Sequence, residues 1–300
     1  MANPIVSTLP EYVDQEKIGL IAKSVLGART ASLINLNTGI KDAATVNLME
    51  TDVEFGDGSA CGWTAAGSAT LSQRKIQTGQ IKVNMAFCDK ALLKTYAQHQ
   101  VKIAAGQKTL PFEQEMVEAI LKDIQAKLEK AIWAGDTASE DANLDKFDGL
   151  IKIIDAAGAK DASLVGGESM YEAIKKVNLA LPAEARAEDT VIFVGEDVFA
   201  KYVDELVDKN LYHYSADNDG KSYKLPGFDV TVEAVPGLNG SNRIFAGRKS
   251  NFFYGCDLAG DAETFELNYS KDNREFRLVV EFNAGVQVAF PDQIVKATLS

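Results

Sequence analysis

Two histidines and three cysteines are the scarce reactive side chains of this 300-residue chain, and their spacing limits the chemistry it can do. His99 and His213 are too far apart to seed an HxxxH or HxxE metal pair. Cys61, Cys88 and Cys256 make no CxxC and, being odd in number, no closed disulfide set, so they read as reduced and structural. A Ser-His-Asp relay would have to use one of the two histidines. His99 lies in the polar stretch TYAQHQVKIAAG and His213 between Tyr212 and Tyr214, so both read as surface or packing residues. With 43 Asp plus Glu many carboxylate pairs can be drawn, and nothing in their order marks two held at glycosidase separation. Glycines cluster at Val165-Gly166-Gly167 and Gly56-Asp57-Gly58, and neither cluster carries GxGxxG or P-loop text. No catalytic residue, cofactor or metal is assigned.

The composition is that of a globular protein: 46% hydrophobic and 25% charged residues can bury enough surface to offset the entropy of ordering, which excludes disorder. Thirty-one Lys plus Arg against 43 Asp plus Glu give a formal net charge of −12, which repels a polyanion at long range and argues against sequence-independent duplex binding. No apolar run reaches the roughly 18 to 20 residues needed to cross a bilayer, and Met1 to Pro10 lacks a signal-peptide pattern. These features predict a protein made and folded in the cytosol, with no membrane partner.

The elements that must present its surfaces are read from periodicity. Pro4 and Pro10, with few large apolar neighbours, predict an extended N-terminal arm that its own core does not hold; Glu11 to Gly27 then reads as a short amphipathic helix stopped by glycine. Residues 38 to 86 read as a long two-stranded hairpin, including VNLME and KIQTGQIKVNMAF. Its tip falls near residues 57 to 70, in the Gly-, Ser- and Ala-rich FGDGSACGWTAAGSAT. The strongest helix is Pro111 to Ala134: Phe112, Met116, Ile120, Ile124 and Leu128 recur every four residues, with Glu129 among the residues assigned to wet faces. At 1.5 Å per residue it spans roughly 36 Å, enough for a spine. Asp148 to Ala156 and Ser169 to Leu181 read as helices, Thr190 to Gly195 as a fully buried strand and Glu196 to Lys209 as a helix, and strands dominate thereafter. The fold class is α+β.

Trp63 is a large aromatic in a tip with little to bury. Either it folds back on its own ribbon or it is an anchor buried against another subunit. A two-stranded hairpin is marginal alone in water. An arm without a core, an unsupported hairpin and an acidic chain without catalytic groups together describe a subunit completed by its neighbours.

In this order the elements resemble the major capsid proteins of tailed bacteriophages, the Hong Kong phage-type fold. The text that carries the likeness is AIWAGD at 131–136 with FDGLIKII at 147–154, then LPGFDV at 225–230, RIFAGRKSNFFYG at 243–255 and VEFNAGVQVAF at 280–290. The resemblance implies an N-terminal arm (1–37), an extended hairpin loop (38–86), a peripheral domain (87–145) around a spine helix (111–134), an axial domain (146–256) and a return to the peripheral domain (257–300). It implies self-assembly through pentamers and hexamers into an icosahedral or prolate shell around double-stranded DNA that is not tightly bound. A separate scaffolding protein, a portal and decoration proteins are the further partners it implies. Subunit contacts are expected at Gly56, Asp57, Gly58 and Trp63 on the loop, Arg74 and Lys75 on its returning strand, and Pro4 and Tyr12 in the arm. An encapsulin-type nanocompartment shell and a cytosolic α+β enzyme with an anonymous site are the two alternatives.

Overall fold

A computed structural model of the chain describes residues 5–40, 42–55, 63, 67–104, 112–186, 189–212, 220–257 and 264–299. Helix α1 (Ile5–Leu26) and helix α2 (Arg29–Leu33) lead into strand β1 (Asn35–Thr38). The expected extended arm is therefore helical from Ile5, with Pro10 inside the helix. Pro10 is the sixth residue of α1, past the first turn, so the helix loses the bond to the Val6 carbonyl there, and burial of Leu9 and Val13 offsets that loss. The chain's own core holds the segment: Leu9, Val13, Leu20 and Val25 are buried, and the Tyr254 hydroxyl donates to the Val25 carbonyl at 3.0 Å. Ile18 of the same helix points to solvent. Gly27 ends the helix as expected.

Strands β2 (Ala43–Asp52) and β3 (Ser68–Gln77) form a two-stranded antiparallel ribbon from Ala43↔Gln77 to Asp52↔Ser68. The stretch KIQTGQIKVNMAF is two strands, not one. Thr78 turns the chain by donating its amide and hydroxyl to the Asp42 carbonyl at 3.0 and 2.9 Å, and β4 (Gly79–Cys88) leaves the ribbon to pair with β12 (Glu275–Val288). Along β4 half-buried and exposed residues alternate strictly, as period 2 requires.

Two sheets share the rest of the chain. In the first, β12 pairs with β4, with β11 (Thr264–Ser270) and with β10 (Phe252–Cys256), and β1 runs parallel beside β10. The second has the order β5 (Lys160–Asp161), β13 (Val295–Thr298), β9 (Arg243–Arg248), β6 (Thr190–Val194), β8 (Thr231–Ala234), β7 (Ser222–Lys224). The final strand therefore crosses from the first sheet into the second, so residues 257–300 serve both.

Strand β6, TVIFV, is buried at every position because both of its faces are covered. Val191 and Phe193 join the core shared with α1, α4 (Phe112–Ala134) and the first sheet. Ile192 and Val194 join a second core under α6 (Met170–Ala180) and α7 (Glu196–Asp208). Helix α3 (Asp89–Ala104) precedes α4 and α5 (Leu150–Ala156) follows it. Helix α4 buries Val117, Ile120, Leu121, Ile124, Leu128, Ala131, Ile132 and Trp133, the face that spacing predicts, and buries Glu129 as well. Among the described residues no helix is long and apolar enough to cross a membrane.

Candidate assembly interface

The ribbon is rooted and then left alone. At its root Ile76 is fully buried, the Gln287 side chain donates to the Lys75 carbonyl at 2.8 Å, and Gly255 and Gly285 have no room for a Cβ because Ile40, Ile76 and Gln77 lie against them. Beyond the root one face of the ribbon carries Met49 directly opposite Leu71, both exposed, followed toward the tip by Val53. At the far end Phe55 is 98% and Trp63 89% exposed. Trp63 therefore does not fold back onto its own ribbon. Ten residues per strand at roughly 3.3 Å each carry this end about 30 Å from the root. Large exposed apolar side chains of this kind are what a partner surface can cover.

Of the other expected contact residues, Arg74 is partly buried in β3 opposite Val46 and Lys75 is exposed beside it, so both stand near the root, well away from Trp63. Tyr12 lies on α1, half-buried against the main core; partial burial and then the carboxylates of Glu16 and Glu118 push its hydroxyl pKa up. Pro4, Gly56, Asp57 and Gly58 fall outside the described residues, as do His213 and Cys61. His99 is a packing residue: buried, edge-on to Phe112 at 6.0 Å between ring centres, with Nε2 3.5 Å from Glu115. Cys88 and Cys256 are free thiols. The triplet Gly220-Lys221-Ser222 has the last letters of P-loop text, but it opens strand β7 instead of a helix, and Lys221 pairs with Glu196 at 3.1 Å.

A buried polar hub, which spacing assigned to solvent, joins the spine helix to α2 and to the turn Pro236–Leu238. Glu129 accepts from the Thr30 amide at 2.9 Å and the Thr30 hydroxyl at 2.5 Å, and the Gly237 amide donates to the same carboxylate. Trp133, one turn on, donates its indole N–H to Thr30 Oγ1 at 2.7 Å. Its ring stacks on Phe245 at 5.5 Å and meets Phe193 edge-on at 5.4 Å. Gly237 lies so close to the Glu129 carbonyl and the Trp133 ring that a Cβ has no space. One turn of α4 thus fastens α2, the second sheet and the turn Pro236–Leu238 together. Burial raises the Glu129 pKa above its usual range despite the hydrogen bonds that favour the charged form. A signal was available: a carboxylate four residues before a tryptophan shares its helix face, and that face is buried.

The AIWAGD and FDGLIKII text has a mechanical meaning. The Gly149 amide donates to the Gly135 carbonyl at 2.8 Å, and a Cβ on Gly149 would stand 2.5 Å from Gly135 N and Trp133 O. Lys152 donates to Asp136 at 2.7 Å and Asp148 at 2.6 Å, and Asp148 also receives the Thr137 amide and hydroxyl. Burial would raise the Asp148 pKa, but these hydrogen bonds outweigh it and hold the carboxyl below its usual range. The motif is a backbone-to-backbone crossing that reverses the chain at the end of the spine. Nearby, Asp155 joins Arg243 and, at 2.8 Å, Lys296, tying α5 to β9 and β13.

The arrangement, a spine helix with a sheet carrying a projecting ribbon and a second sheet with its own helices, is the Hong Kong phage-type capsid fold. The chain aligns over 99% of its length with 98% of a chain in the satellite phage P4 procapsid that includes the size determination (Sid) protein, at TM-score 0.64 and 12% identity. It aligns over 89% of its length with 90% of a chain from the capsid of Myoviridae phage XM1, at TM-score 0.55 and 15% identity. A virus-like particle from Pyrococcus furiosus is similar over 94% of this chain and 98% of that one, at TM-score 0.50 and 12% identity. No protein-family model matches the chain, and no curated protein matches it in sequence.

Proposed function

We propose that this chain is the major capsid protein of a tailed phage, a structural subunit that assembles with copies of itself into the icosahedral or prolate shell around a double-stranded DNA genome. The observation that carries the reading is the projecting ribbon with uncovered aromatics at its end, on a fold similar over nearly its whole length to a procapsid chain. In this reading residues 1–37 are the arm, 38–86 the extended loop, 87–145 and 257–300 the peripheral domain, and 146–256 the axial domain at the five- and six-fold centres. On this assignment β10, which pairs with β12, would go with the peripheral domain, and β13, which pairs with β9, with the axial one. The role is structural and not catalytic, and the place of the protein is the virion. A separate scaffolding protein, a portal and decoration proteins are its proposed partners, and the charge of −12 suits a wall that holds DNA without gripping it.

Negative-stain electron microscopy of the purified protein, alone and co-expressed with the neighbouring scaffolding gene product, tests the proposal. Closed shells tens of nanometres across are expected. Small uniform particles under both conditions would sink it, and shells filled with protein in place of DNA would move the reading to a nanocompartment.

A further inference from the structure

We propose that the groove between α4 and β4 binds a linear amphiphilic anion, a long-chain carboxylate, as a ligand of the single chain. The site goes beyond the capsid reading and needs no assembly. The groove encloses about 510 Å³, a volume usual for small-molecule sites. Ile120, Ile124 and Leu128 of the spine helix and Phe282 of β12 form its apolar floor, and half-buried Val83 and Met85 of β4 form one wall. Lys82, Lys127 and Lys146 line it beside one carboxylate, Asp123.

Two features select the ligand. The first is shape. Helix α4 lines the groove from Ala119 to Ala131, about 18 Å at 1.5 Å per residue, and β4 lines it from Ile81 to Met85. A slot between a helix and a strand suits an extended chain better than a compact group. The second feature is that the charge gathers at one end. The Gly79 backbone abuts Lys146, and Phe147 lies against Gly135 just past the end of α4, so the start of β4 faces the last turns of the helix. Lys146, Lys82 three residues into β4 and Lys127 one turn before Ala131 therefore stand together, while Met85, Ala119 and Ile120 line the opposite end. A chain laid in the groove removes its tail from water over the apolar floor and brings a terminal carboxylate to three ammonium groups. The lysines now pair with Glu281, Asp123 and Asp145, but these are surface pairs that exchange partners at little cost.

Calorimetric titration of the purified full-length chain with decanoate, 1-decanol and butyrate, each below its micelle-forming concentration, tests the site. Decanoate should saturate at one equivalent and shift the methyl resonances of Ile120, Ile124 and Met85. It should bind at least about tenfold more tightly than decanol, for its charge, and more than about a hundredfold more tightly than butyrate, for its tail. Lys127→Gln combined with Lys146→Gln, both exposed positions, should bring decanoate down to the affinity of decanol and leave decanol unchanged. Ala119→Trp, also exposed, fills the tail end and should abolish binding of both while the melting temperature of the free chain holds. Saturating decanoate should raise the melting temperature of the unaltered chain and not that of Ala119→Trp. Absence of saturable binding, methyl shifts outside the groove, or unchanged affinity in the lysine variant would overturn the site and leave the capsid reading standing. Equal affinities for decanoate and decanol would overturn it too, as the mark of an adventitious apolar surface.

Discussion

Glu129 shows how one side chain can carry the junction of a fold. Its carboxylate receives donors from Thr30 and Gly237, on two different parts of the chain, while it is itself buried. Removing it leaves those donors unpaired, so Glu129→Ala should cost about 1 to 3 kcal/mol, read from urea melts. Its raised pKa has a sign. The unfolded chain releases this proton near the usual 4.5 whereas the folded chain keeps it to higher pH, so stability falls as pH rises upward from 4.5. Glu129→Gln should flatten that slope, and an unchanged slope would mean the carboxyl titrates normally. Asp155 works in the opposite direction. Burial raises its pKa, but Lys296 and Arg243 more than compensate, so its contribution is fully present above the usual 3.8 and is lost as pH falls through the lowered native value. Asp155→Asn should remove that acid-side loss in a melting series below pH 4.

At the scale of elements, the spine helix was legible because an apolar residue every four positions has one physical solution in a chain this apolar. Phe112–Ala134 differs from the sequence reading by one residue. Ile124→Asp would place a charge among Ile120, Leu121 and Leu128 and should cost at least about 3 kcal/mol, enough to remove soluble protein; an unchanged melt would put that face in water. The crossing after the helix is a separate test. Gly149→Ala drives a methyl into the backbone of Gly135 and Trp133 and should cost about 2 kcal/mol, measured by thermal unfolding. Only the first turns of the N-terminal helix, Ile5–Pro10, escape a sequence reading, because a proline and sparse apolar residues look like an extended segment until the burial of Leu9 and Val13 is known. The ribbon was read too long for a similar reason: β3 and β4 are nearly continuous in sequence, and only pairing with a strand some 200 residues away separates them.

At the scale of the whole molecule, folding and assembly are separable. Strands β2 and β3 stay in register out to Asp52↔Ser68, and the residues beyond contribute nothing described to either core. Replacing residues 53–67 with an Asn-Gly turn keeps that register and should leave the melting temperature within a degree or two, while shells disappear from electron micrographs. Normal particles from this variant would remove the ribbon end from assembly. A large drop in melting temperature would show instead that the end supports its own subunit.

The sequence by itself determined the α+β class, the spine helix, the buried strand β6 with its flanking helices, and a tip with little to bury. Each rests on a local period or a local shortage of apolar residues, which a single chain displays without its fold. The tertiary structure alone decided that residues 5–10 are helical, that β4 and β13 leave their sequence neighbours for distant partners, and that Glu129 is the centre of a hub instead of a solvated charge. Those outcomes depend on which surfaces meet across long sequence separations, and burial at such a meeting overrides what the neighbouring residues prefer.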